Sequence, residues 1–178
     1  MFMRTASAQS MRSADEIAES ADRSCKRVLV AVDRFDDQGS AVKLGASIAR
    51  ERSAQVVVVH VRERQNLGRG SFDFETPEQA RQLVDAAVSE LRQQGVEASG
   101  RVVRALVGQV ARAILDEAAD VGADEIVIGA KGSGGFFGRR TRERLLRRSS
   151  LPILVAPRPS EQPGREAITP ELGRRHAA

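Results

Sequence analysis

Five short apolar runs punctuate the chain: Val28–Val32, Val56–Val61, a weaker one from Ala98 to Val103, Ile126–Ile128 and Ile153–Val155. All but the weaker run are rich in valine, isoleucine and leucine, and each has the length of a strand. The first, second and fourth are continuously apolar rather than alternating, as expected of parallel strands covered by helices on both faces. The stretches between them follow a helical period instead. Ala41, Leu44, Gly45, Ile48 and Ala49 share one stripe, and Ala80, Leu83, Val84, Ala87, Val88 and Leu91 share another. The second stripe begins at Thr76-Pro77-Glu78-Gln79, which predicts a capping box between Thr76 and Gln79 with Pro77 at the first helical position. Gly95 is placed to stop that helix. A third helix carries Val110, Ile114, Ala118 and Val121 and ends at Gly122. A short fourth covers roughly 139–148 and is expected to bury Thr141, Leu145 and Leu146.

The resulting order, β-α-β-α-β-α-β-α-β, predicts an α/β domain: a doubly wound, five-stranded parallel sheet with helices on both faces. At 178 residues the chain suits one such domain. Residues 1–24 and 158–178 lack a periodic pattern and are expected to be disordered tails flanking a domain at 25–157. Met1, Met3 and Met11 all lie in the leading segment, so three translation starts are open.

Charge changes the picture locally. The chain carries a net charge of +4, yet RRTRERLLRR at 139–148 alone carries +5 and the remainder −1. The basic character is therefore a patch. A single cysteine, Cys25, excludes an internal disulfide and suits a reducing compartment. No apolar run approaches a membrane span, and the N-terminus has no secretory h-region, so the expectation is a cytoplasmic protein without membrane contact.

Ligands of open α/β sheets bind outside the carboxyl ends of the strands. Asp33, Arg34 and Phe35 follow the first strand. A long loop, 62–76, with Phe72 and Phe74 follows the second. Gly129-Ala130-Lys131-Gly132-Ser133-Gly134-Gly135-Phe136-Phe137-Gly138 follows the fourth. Five of the six phenylalanines sit in these loops, where rings stack on a base, wall a pocket or seal the core. The glycine-rich loop precedes a helix, the arrangement that brings backbone N–H groups to phosphate oxygens. It has neither the ending of a Walker A loop nor the spacing of a dinucleotide-binding fingerprint. His60 reads as a packed structural residue, and His176 lies in the trailing segment. No zinc spacing, Ser-His-Asp set or paired-carboxylate site is legible.

The segments 26–33, 58–61, 122–132 and 151–155 together resemble universal stress proteins. The resemblance implies a Rossmann-like fold of the adenine-nucleotide alpha-hydrolase type, strand order 3-2-1-4-5, and homodimers formed along the last strand. In ATP-binding members, Gly-x-x-Gly is followed by nine residues and then Gly-Ser or Gly-Thr, which hold the phosphates and ribose. Gly129 and Gly132 match the first pair. Counting onward from Gly132 gives Arg142-Glu143, whereas anchoring on the last strand puts Arg139-Arg140 at the Gly-Ser position with a loop three residues shorter. Under either alignment the second half of the motif is missing. Asp33 and Val61 match positions that lie against the adenosine end of the ligand.

The resemblance thus implies candidate nucleotide-binding residues Asp33, Val61, Gly129, Lys131, Gly132, Ser133, Arg139 and Arg140. No catalytic residue and no metal ligand is assigned. Arg139 and Arg140 near a helix N-terminus oppose the helix dipole, a conflict that a bound anion relieves or that water screens. The favoured reading is a non-enzymatic stress-response or signalling protein with weak, altered or absent nucleotide binding and an unidentified protein client. The alternatives are an ATP-binding member with slow hydrolysis and a nucleic-acid-associated protein using 139–148, the latter disfavoured because no aromatic residue interleaves the patch. The cofactor stays open between ATP, another adenine nucleotide and none.

Overall fold

A computed structural model describes residues 27–34, 39–129 and 138–157. The elements are β1 (Arg27–Ala31), α1 (Ser40–Arg52), β2 (Gln55–Leu67), β3 (Gly70–Asp73), α2 (Pro77–Gln93), β4 (Ala98–Leu106), α3 (Val110–Asp120), β5 (Glu125–Ile128), α4 (Arg139–Arg148) and β6 (Ile153–Val155). The segments expected to be tails lie outside the described residues.

Five strands run parallel in the spatial order β4-β2-β1-β5-β6, which reproduces the expected 3-2-1-4-5 order. The sheet is nonetheless mixed. A sixth strand, β3, pairs antiparallel with the far end of β2, from Arg64↔Asp73 to Leu67↔Gly70. The segment expected to be a loop is therefore a hairpin, closed by Gly68 and Arg69, with Gly68 in the left-handed region at φ 54°. β4 also extends past Val103 to Leu106, because β2 continues beside it as far as Arg64.

Strand alternation sorts the apolar side chains into two layers. Val28, Val30, Val56 and Val58 pack under α1 and α2 with Ala46, Val84 and Leu91. Leu29, Val57, Val59 and Val61 pack under α3 and α4 with Ile114 and Leu145. Gly45 and Gly100 let helices approach closely, since a Cβ at either would strike Val30 or Val84 respectively.

The expected capping box forms: the Gln79 amide donates to Thr76 Oγ1 at 3.2 Å and the Thr76 amide to Gln79 Oε1 at 2.9 Å. Gly95 and Gly122 follow α2 and α3 in left-handed conformations. In α4, Leu145 is fully buried and Thr141 partly so, but Leu146 is 52% exposed, contrary to expectation. Thr141 and Leu145 are one turn apart on a single stripe, whereas Leu146 lies about 100° around the helix.

Candidate functional site

β1, β2 and β5 end together, and their register fixes what meets there. Ala31 is level with both Val59 and Ile128. Asp33, Val61 and Gly129 therefore lie one or two residues past a common line, and all three are buried. The amide of Val32 donates to the Val59 carbonyl at 2.9 Å, so the pairing continues to the residue before Asp33. α4 starts nearby at Gly138 with no side-chain cap. Arg140, in its first turn, is exposed, and the backbone of Arg139 is helical. Lys131, Gly132 and Ser133 lie outside the described residues, as do Phe35, Phe136 and Phe137.

The β2–β3 hairpin overhangs this edge. Arg64 pairs with β4 on one side and with β3 on the other, so β3 occupies the column vacated where β1 stops. Three contacts bind the hairpin to the sheet end. Arg34 donates to the Phe74 carbonyl at 3.0 Å, Arg62 donates to the Glu75 carbonyl at 3.0 Å, and His60 bridges the end of β1 to Glu75. His60 Nδ1 is 3.0 Å from the Val32 carbonyl, which can only accept, so Nδ1 carries a proton. Its Nε2 is 2.7 Å from Glu75 Oε1. The histidine is structural as expected, but its buried acidic partner was not legible.

The two faces of the hairpin differ. Arg62, Arg64 and Arg104 share the face carrying Ser71 and Asp73, with Arg104 2.5 Å and Arg62 3.7 Å from the Asp73 carboxylate and Arg64 against the Ser71 hydroxyl. The Arg104 hydrogen bond holds the Asp73 carboxyl below its ordinary range. The opposite face carries Glu63, Gln65, Leu67 and Phe72, and the Phe72 and Phe74 rings meet edge to face there, centroids 5.4 Å apart. The Glu63 carboxyl is pushed up to about 6, first by burial and then by Asp33 and Glu75, against a lowering by Arg34. Phe72 and Phe74 were expected at this edge but not their pairing, and Glu63 and Glu75 were missed as candidate site residues; the alternation Arg62, Arg64 against Glu63, Gln65 was the available signal of a strand.

A cavity of about 720 Å³ lies at the opposite, amino edge. Its arginines are committed: Arg27 to the Val121 carbonyl, Arg92 to the Ala98 carbonyl and Arg101 to Glu117. It offers no ready anion site, and the carboxyl edge remains the candidate. Among the described residues, no cluster of His, Cys, Asp and Glu is arranged to hold a metal ion, and no helix is long and apolar enough to cross a membrane.

Residues 24–157 match the universal stress protein family. The chain belongs to that family. This universal stress protein is 28% identical over 137 residues to a curated universal stress protein of Synechocystis, covering 74% of this chain and 85% of the relative. Its fold matches that of a family protein from Burkholderia pseudomallei at TM-score 0.60 and 24% identity, covering 76% of this chain and 98% of the other. It also matches the universal stress protein of Archaeoglobus fulgidus in complex with dAMP, at TM-score 0.57 and 27% identity, covering 73% and 96%. Membership gives the chain a universal stress protein-like stress-response role.

Proposed function

We propose that this chain is a non-catalytic stress-response protein whose domain, residues 25–157, takes an adenine nucleotide at the carboxyl edge with altered, weakened phosphate binding. The observation that carries the reading is the common burial of Asp33, Val61 and Gly129 at one sheet end, with the helix that follows opening on Arg139-Arg140, the pair that anchoring on the last strand puts at the Gly-Ser position of the resemblance. Small residues permit phosphate to approach the backbone; arginine side chains there hold an anion farther away and at its periphery. The dAMP complex of the Archaeoglobus fulgidus relative supports an adenine nucleotide as the ligand class. Lys131, Gly132 and Ser133 complete the candidate set. Calorimetric titration with ATP is expected to give binding much weaker than sub-micromolar. A sub-micromolar constant abolished by Gly132→Val would overturn the reading.

A homodimer through β6 belongs to the same proposal. β6 pairs only with β5 among the described strands, and Val155 on it is 38% exposed. Such an edge invites pairing with a second copy. Light scattering is expected to report a dimer that Val155→Pro converts to monomer, since the N–H that proline removes there faces away from β5; a monomeric wild type would contradict it. The protein is placed in the cytoplasm by this reading, with a protein client as its downstream partner.

A further inference from the structure

Leu67, Phe72 and Phe74 are exposed by 60%, 54% and 37%. Their side of the sheet follows from the register. Val57, Val59 and Val61 pack with Leu145 of α4, and the same alternation continues through Glu63 to Gln65, which lies directly opposite Phe72. The ring pair, Val61 and α4 therefore share one side of the sheet. Because β3 stands beyond the end of β1, the rings also border the end where Asp33 is buried.

The hairpin has fastenings other than the rings. Its other face is fastened by the Arg62, Arg64 and Arg104 contacts with Ser71 and Asp73, and its base by Arg34 and His60. Two aromatic side chains left half in solvent, one fixed against the other, present a π-face beside the candidate nucleotide crevice. We infer that Phe72 and Phe74 form a stacking wall for the base of the bound nucleotide, extending the crevice beyond Asp33 and Val61. This inference rests on the nucleotide reading above and assigns the hairpin a part in it. Stacking on an aromatic ring needs no hydrogen-bond pattern, so the wall would favour the presence of a base over its identity.

The test compares AMP with ribose 5-phosphate, which has the same sugar and phosphate but no base. Calorimetric or NMR titration of Phe72→Ala/Phe74→Ala is expected to weaken AMP by about tenfold or more. Ribose 5-phosphate should bind as in wild type, the melting temperature should hold, and Phe72→Tyr/Phe74→Tyr should retain AMP affinity. Equal AMP affinity in wild type and the alanine variant would overturn the wall and leave the nucleotide reading standing. Equal losses for both ligands would overturn it as a general disturbance of the site. A change of oligomeric state in light scattering, without a change in AMP affinity, would assign the rings to contact between copies instead. Absence of AMP binding in wild type would refute the nucleotide reading and the wall with it.

Discussion

Nε2 of His60 and Oε1 of Glu75 lie 2.7 Å apart, with the side chains 1% and 4% exposed. The same imidazole reaches the Val32 carbonyl through Nδ1, so a single ring joins the end of β1, the body of β2 and the chain leaving the hairpin. Removing one partner strands the other without water. His60→Ala or Glu75→Ala is therefore expected to cost about 3–5 kcal/mol in urea unfolding. The double variant should cost distinctly less than the sum, and an additive cycle would show that the two groups do not interact.

Gly100 lies under α2, where a Cβ would fall within contact distance of Val84 Cγ1 and 3.1 Å from Val88 Cγ2. Gly100→Ala should destabilise by about 1–3 kcal/mol through overpacking. Adding Val84→Ala opens the space, so the alanine at 100 should cost much less in that background. An equal cost in both backgrounds, measured by denaturant midpoint, would refute the close approach.

The Glu63 carboxyl rises from 4.5 to about 6 on folding. Between those values the folded chain holds the proton more tightly than the unfolded one. The stabilising contribution is thus complete below the unfolded pKa and is lost as pH rises through the folded one. Allowing for solvent screening, the loss amounts to about 1 kcal/mol at most. The stability of wild type minus that of Glu63→Gln should fall by that amount from pH 4 to pH 7; a flat difference would contradict the shift.

Arg139 and Arg140 open α4 and Arg147 and Arg148 close it. If the first pair belongs to an anion site, pyrophosphate at a hundredfold excess over its dissociation constant should stabilise wild type by about 2.7 kcal/mol. Arg139→Ala/Arg140→Ala should erase that gain and Arg147→Ala/Arg148→Ala, equal in charge, should keep it. Equal losses would indicate a diffuse basic surface of the kind that salt screens.

Much of this architecture was legible because burial on both faces leaves a plain mark. The continuously apolar runs Val28–Val32 and Val56–Val59 mark strands covered by helices on both sides, and Thr76 and Gln79 announce α2 by their spacing. The hairpin left no such mark. Residues 62–64 are held by pairing with β4, some forty residues away in sequence, residues 64–67 by pairing with β3, and both by guanidinium contacts to Asp73 and Ser71, none of which produces an apolar rhythm. Leu146 was misplaced because a ten-residue helix offers too few turns to fix its stripe. The family resemblance points to Asp33, Val61 and Gly129 as candidate site residues. The sequence also points to Phe72 and Phe74 as rings at that edge, but Glu75 and the packing of one ring on the other arise only when β3 folds back.

In the proposed nucleotide site, Arg139-Arg140 weakens the phosphate end. Calorimetric titration with ATP of wild type beside Arg139→Gly/Arg140→Ser tests it most directly. The account predicts weak binding in wild type and a gain of about tenfold, near 1.4 kcal/mol, when the small residues are restored. Sub-micromolar binding by wild type, unimproved or reduced in the restored variant, would contradict it.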